Sequence, residues 1–268
     1  MQPMLNIALR AARKAGDLIA RASEQLDRVQ VEEKGQNNFV TEIDRKSEKE
    51  IIFHLQKAYP DHAFLGEESG ESGNPDSDYK WVIDPIDGTT NFIRGIPHFA
   101  ISIACIYQGQ IEHAVILDPI RREEFTASRG RGAQLNGRRV RVAMGATTLE
   151  GALIGTGIPF KARSEQHIPA YMRSLEAIAG ETAGIRRAGA ASLDLAYVAA
   201  GRLDGFWEIG LSKWDIAAGI LLVREAGGLI SDFKGGGDYF ETGNIVAANP
   251  KCLKSILQVV RPHLEHIG

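Results

Sequence analysis

Two cysteines, Cys105 and Cys252, are all that the 268 residues hold. Neither has a second Cys or a His at metal-ligand spacing, so a disulfide-stapled scaffold and a thiolate metal site are both ruled out as readings. Cys105 sits in the apolar run FAISIACIY and Cys252 in a helical pattern, and both read as reduced core thiols. No apolar run approaches the roughly 20 residues of a membrane-spanning helix. The first residues carry Arg10, Arg13, Lys14 and Asp17 where a signal peptide keeps an unbroken apolar stretch, so a cytoplasmic protein without a membrane partner is expected. Internal repeats and low-complexity tracts are missing, and GESGNPDSD at 70–78 is the one stretch expected to be disordered. Charge of one sign is not in excess either: 31 basic and 34 acidic residues give −3, which points to neither nucleic acid nor membrane.

What is present is an ordinary globular composition, 44% hydrophobic and 24% charged, in a chain long enough for one or two domains. Apolar residues from Leu5 to Ala22 recur at helical spacing, and Thr41 precedes a second periodic stretch that places Asp44 in its first turn. Short apolar runs at AFLGEES and KWVIDP read as strands ending in carboxylates. Residues 99–142 read as an antiparallel meander, and from 152 onward strands and helices alternate, with a last helix over 250–264. The expected organisation is a half over 1–145 and an α/β half over 146–268, packed as one compact unit.

Three acidic segments stand out: GEES at 66–69, DPIDGTTNF at 84–92 and WDIAAG at 214–219. Taken singly each has a plain structural reading, as a solvated loop, a capped turn, or an aromatic beside an N-cap. Together they put Glu67, Glu68, Asp84, Asp87 and Asp215 at element boundaries, with Asp44 as a sixth carboxylate. Pro85 and Gly88 suggest a tight turn holding Asp84 near Asp87, and Gly88, Thr89 and Thr90 would open a helix whose unpaired amides suit a phosphate. Oxygen donors of this kind suit Mg²⁺. Removing the six carboxylates leaves 28 acidic against 31 basic residues, so a single pocket would concentrate the chain's negative charge. Each like-charged pair near 4 Å costs on the order of 4 kcal/mol at an effective dielectric of 20, which cations would offset.

These motifs, with VTEID at 40–44, resemble the inositol monophosphatase family in order and spacing over essentially the whole chain. The stretch from Ile185 to Gly219 resembles its bacterial SuhB-type branch. The resemblance implies an α+β fold with α/β-like layers, an αβαβα layered sandwich. It also implies a homodimer, Mg²⁺ dependence, inhibition by Li⁺, and hydrolysis of myo-inositol monophosphate and related small polyol phosphates by metal-activated water. By that resemblance Glu67, Asp84 and the Ile86 carbonyl hold one Mg²⁺ and Asp84, Asp87 and Asp215 a second, with room for a weaker third. Thr89 and Asp44 orient the water and accept its proton, and Glu68 holds water nearby. Asp87, Glu208 and the backbone of Gly189, Ala190 and Ala191 meet the substrate hydroxyls by the same resemblance; by position, Gly88, Thr89 and Thr90 face the phosphate, and Lys34, upstream of Asp44, lines its entrance unless it is an ordinary solvated lysine. Ala190 departs from relatives that carry a hydroxyl at that position.

Two alternatives stay open. A phosphatase for nucleotide 3′-phosphates or fructose bisphosphate would use the same scaffold. The other is an interaction protein: the SuhB-type branch is associated with the Nus transcription antitermination complex and ribosomal RNA maturation. The seven arginines from Arg121 to Arg141, set against only Glu123 and Glu124, offer a basic surface to a Nus-complex protein or RNA, unless they are an ordinary solvated meander.

Overall fold

A computed structural model describes residues 2–35, 38–145, 148–159 and 165–267, without the side chains of residues 34, 35, 38 and 165. The expected division near residue 145 falls beside residues 146–147, outside those described. The chain opens with α1 (Pro3–Ser23) and a two-stranded ribbon of β1 (Val31–Gly35) and β2 (Asn38–Thr41), which leads into α2 (Glu42–Ala58). An eight-stranded sheet follows. It holds β3 (Ala63–Gly66), β4 (Gly70–Gly73), β5 (Tyr79–Asp87), β6 (Ala100–Tyr107), β7 (Gln110–Asp118), β8 (Glu123–Ser128), β9 (Ala133–Leu135) and β10 (Arg138–Arg139). Its order is β10-β9-β8-β7-β6-β5-β3-β4, antiparallel except between β3 and β5. Short α3 (Thr89–Ile93) interrupts it. A five-stranded sheet, ordered β12-β11-β13-β15-β14, holds β11 (Leu153–Thr156), β12 (Gly184–Arg186), β13 (Gly205–Glu208), β14 (Leu229–Ser231) and β15 (Ile245–Ala248). Between these strands run α4 (Ile168–Ala179), α5 (Ala191–Ala199), α6 (Lys213–Glu225) and α7 (Tyr239–Thr242), and α8 (Pro250–Leu264) closes the chain.

Side-chain alternation sorts these elements into layers, because successive strand residues point to opposite faces. Trp81 and Ile83 of β5 pack with α1 and α2 on one face of the large sheet. Val82 on the other face joins Leu195 of α5, Leu222 of α6 and Phe206 of β13. Trp207, the neighbour of Phe206, faces outward onto Tyr171 of α4 and Ile256 of α8. The order is therefore α1/α2, large sheet, α5/α6, small sheet, α4/α8, which is the expected αβαβα sandwich. No helix is long and apolar enough to cross a membrane among the described residues. One expectation fails: Gly70–Gly73, expected to be disordered, pairs with β3 as an edge strand, and Asn74 Oδ1 accepts the Asp76 N–H at 3.1 Å in the turn beyond it. The polar, Gly-rich composition that suggested disorder is equally that of an exposed edge and its turn.

Candidate metal centre and substrate cleft

Strand alternation alone would send Asp84 and Asp87 to opposite faces of the sheet. They share one because the pairing of β5 with β6 slips between Asp84↔Ser102 and Asp87↔Ala100, so three steps on β5 match two on β6. This is a β-bulge, and Pro85, with no N–H to give a ladder, sits inside it. The tight turn expected here is thus a bulge within a strand. Ile83 and Ile86 remain on the outer core, while Asp84 and Asp87 both face a cleft of about 700 Å³. The Asp84 carboxylate accepts the Ile86 N–H at 3.0 Å.

The middle helices supply the other side. Ser212 donates its N–H to Asp215 Oδ2 at 2.7 Å, so Asp215 sits in the first turn of α6 as part of a capping box. Oxygens of Asp84, Asp87 and Asp215 lie within 4.8 Å of one another. Burial first, and then Glu67, Asp87 and Asp215, push the Asp84 carboxyl well above its ordinary value. Asp87 is held at about 6, raised by burial and partly restrained by hydrogen bonds from Ser192 and Ala191. Three hard oxygen donors with unbalanced charge fit a small divalent cation such as Mg²⁺.

Gly88 stands at φ 96°, in the left-handed region, at the start of α3. A Cβ there would meet the His98 carbonyl oxygen at 3.1 Å and the Gly189 carbonyl oxygen at 3.2 Å, so this crossing of two backbones admits only glycine. The Thr89 hydroxyl lies 3.1 Å from Asp44 Oδ1 and 3.0 Å from the Ile86 carbonyl oxygen; its single proton goes to one of them at a time. Asp44 is fully buried on α2, where Thr41 gives its N–H and Oγ–H to Oδ2 at 2.8 and 2.5 Å. Burial lifts Asp44 to about 6 against the pull of those bonds, and the charge of Glu68 adds to the rise. Thr90, Gly189, Ala190 and Ala191 line the cleft, as does Glu208 at the end of β13, whose carboxyl burial raises well above normal.

Glu68, Lys34 and Ala191 complete the expected set. Glu68 lines a recess against α2, from which its charge acts on Asp44. The Lys34 side chain lies outside the described residues. Ala191 turns its amide toward Asp87, so that group is already engaged by protein. Among residues the sequence did not single out are Ser192 on Asp87, buried Glu48 and Asp194; Arg187, expected with Arg186 as a basic surface or a dimer contact, is exposed at the rim of the cleft. Asp194 is 2% exposed and lines the cleft, and burial followed by the charge of Asp87 raises its pKa well above normal. The signal for Asp194 was there, a lone acid in the apolar helix SLDLAYVAAG. The seven arginines are all exposed; Arg121 pairs with Asp118 at 2.8 Å and Arg129 with Glu112 at 3.4 Å.

Residues 1–265 match the family model described as the inositol monophosphatase family. The chain belongs to the inositol monophosphatase family. The Nus factor SuhB of Pseudomonas aeruginosa is 62% identical over 98% of each chain. The solved structure of the extragenic suppressor protein SuhB from Bartonella henselae is 46% identical, with a TM-score of 0.93 over 97% of this chain and 99% of that one. An IMPase from Thermotoga maritima is 34% identical, with a TM-score of 0.88 over the full length of both. Membership in the inositol monophosphatase family and the shared fold support a phosphatase.

Proposed function

We propose that the chain is a Mg²⁺-dependent phosphatase for myo-inositol monophosphate and related small polyol phosphate monoesters. The reading is carried by the meeting of Asp84, Asp87 and Asp215 oxygens within 4.8 Å, beside the first turns of α3, α5 and α6. Glu67, Asp84 and the Ile86 carbonyl would hold one cation and Asp84, Asp87 and Asp215 a second; when bound, such ions neutralise phosphate charge and acidify water. The amides of Gly88, Thr89 and Thr90 receive the phosphate oxygens at a helix start. Thr89 then takes a proton from the attacking water while passing its own to Asp44 Oδ1, 3.1 Å away. At about 6, Asp44 is a far better proton acceptor than an ordinary carboxylate and still ionised at neutral pH. Glu208 and the backbone of Gly189 and Ala190 meet the substrate hydroxyls, and the burial that raises the Glu208 carboxyl well above its ordinary value favours the protonated form, which donates as well as accepts. We also infer a cytoplasmic homodimer, which sedimentation at twice the chain mass would test.

Phosphate release from inositol 1-phosphate, phosphoadenosine phosphate and fructose bisphosphate, with and without Mg²⁺ and Li⁺, tests this. Expected are Mg²⁺-dependent release, inhibition by Li⁺ and preference for the inositol ester. Equal release in chelator, or preference for a bisphosphate, would sink the proposal.

A second role is proposed alongside, as an interaction protein of the Nus transcription antitermination and ribosomal RNA maturation machinery. Its support is the naming of a 62% identical relative as a Nus factor, together with the exposed arginine-rich meander. If Asp87→Asn abolishes phosphate release yet restores growth to a deletion strain, this role dominates in the cell; failure to restore growth with the fold intact favours catalysis.

A further inference from the structure

Helix α2 buries a second carboxylate one turn beyond Asp44. Glu48 is 1% exposed, and its Oε2 accepts the backbone N–H of Glu68 at 2.9 Å, across 20 residues of sequence. The chemistry above does not use it. A buried carboxylate is costly unless its oxygens are satisfied, and here the partner is a backbone amide in the acidic turn between β3 and β4. The same carboxylate rests on Gly66. A Cβ on Gly66 would lie 2.4 to 2.8 Å from the three carboxyl atoms of Glu48, so any side chain there would push that carboxylate out of place. Glu67 lies between these two clamped residues, and its own N–H bonds the Ile83 carbonyl oxygen of β5 at 3.0 Å. The turn is thus pinned from below by Glu48 and from the side by the strand that carries Asp84.

We propose that Glu48 is the positioning residue for Glu67: by anchoring Glu68 N–H and seating Gly66, it fixes where the Glu67 carboxylate meets Asp84. The proposal rests on the metal reading given above. Asp44 and Glu48 are four residues apart and lie on the same helical stripe. One rigid helix therefore reaches Thr89 through Asp44 and the Glu67 turn through Glu48, and holds the proton-accepting pair in register with the acidic ligands. A group that orders a ligand in this way sets how tightly the cation is held.

The test is a Mg²⁺ titration read two ways, by the melting temperature of substrate-free protein and by phosphate release from inositol 1-phosphate. Glu48→Ala should raise half-saturating Mg²⁺ about tenfold or more in both, with a much smaller change in kcat at saturation. Glu48→Gln keeps an acceptor oxygen and should stay near the parent protein. Gly66→Ala should displace the Glu48 carboxylate and reproduce the loss, and Glu48→Ala with Gly66→Ala should be no worse than the weaker single variant, since both break one contact. If Glu48→Ala does not fold, the Gln and Gly66 variants decide. An unchanged half-saturation in Glu48→Ala or Gly66→Ala, or a fall in kcat with half-saturation unmoved, overturns the proposal. A parent protein indifferent to Mg²⁺ would instead overturn the metal reading.

Discussion

Asp87 caps a helix 105 residues away: its Oδ2 accepts both the N–H of Ser192, at 2.7 Å, and the Ser192 hydroxyl, at 2.5 Å. Helix α5 starts on Ala190, which has no side chain to cap it, so a carboxylate from the large sheet does so instead. The bond fixes Asp87 and seats the first turn of α5 against the cleft in one step. Ser192→Ala keeps the N–H and removes the hydroxyl. Hydrogen bonds to charged groups contribute roughly 1.5–3 kcal/mol, so urea unfolding of the metal-free variant should show a loss near the lower end. A variant as stable as its parent would deny the hydroxyl this role.

Thr89→Val retains shape and loses the hydroxyl that joins Asp44 to the cleft. Phosphate release should fall by about 10²–10⁴ in kcat, the usual scale for positioned proton transfer. The Mg²⁺-dependent rise in melting temperature should be unchanged, because no proposed ligand has been touched. Loss of the Mg²⁺ response together with activity would place Thr89 among the ligands instead.

Asp44 and Asp87 sit at about 6 in the folded, metal-free chain, against an ordinary 3.8, with burial the first cause in each. Between about pH 4 and 6 the folded state therefore holds protons that the unfolded chain has released, and stability falls as pH rises through that window. Asp84, Asp194 and Glu208, all raised by burial, carry the fall to higher pH. In chelator the melting temperature should be lower at pH 8 than at pH 5.5, and Mg²⁺, which binds the folded form, should restore more at pH 8. Asp194→Asn should flatten the slope. A melting temperature that climbs with pH in chelator contradicts the account.

Glu208 packs its carboxyl onto Gly157, where a Cβ would fall 2.0 to 2.2 Å from its three terminal atoms. Gly157→Ala should therefore swing Glu208 off the polyol side of the cleft. KM for inositol 1-phosphate should rise about tenfold or more, the cost of one hydrogen bond to a charged or strongly polar group. Phenyl phosphate, which offers no hydroxyls, should be hydrolysed as before; a parallel loss on both esters would mean that Glu208 does not read the polyol.

Much of the site was legible because its signals are local. A Thr41 cap, a glycine before Thr89, and acids closing apolar runs each act within a few residues, and each lies where expected. The bulge that turns Asp87 was read as a turn, because one slipped pairing depends on β6 as well as on β5. Glu68, expected to hold water near the site, lines a recess on the other side from Glu67, because neighbours at a strand end point to different sides. Glu48 and Ser192 escaped notice because DRKSEKE reads as a solvated helical face and ASLDL as plain core.

The sequence by itself determined the elements and the carboxylates Asp84, Asp87 and Asp215, since periodicity, caps and breakers are decided over one or two turns of chain; the layered class was implied by the resemblance of its motifs to a family. The tertiary structure decided which face each acid takes, that Asp87 serves α5, and that Glu48 holds the Glu67 turn. Those contacts span 105 and 20 residues. They exist only once the two sheets have closed on the helices between them, because a hydrogen bond needs its partners within about 3 Å and sequence spacing does not supply that distance.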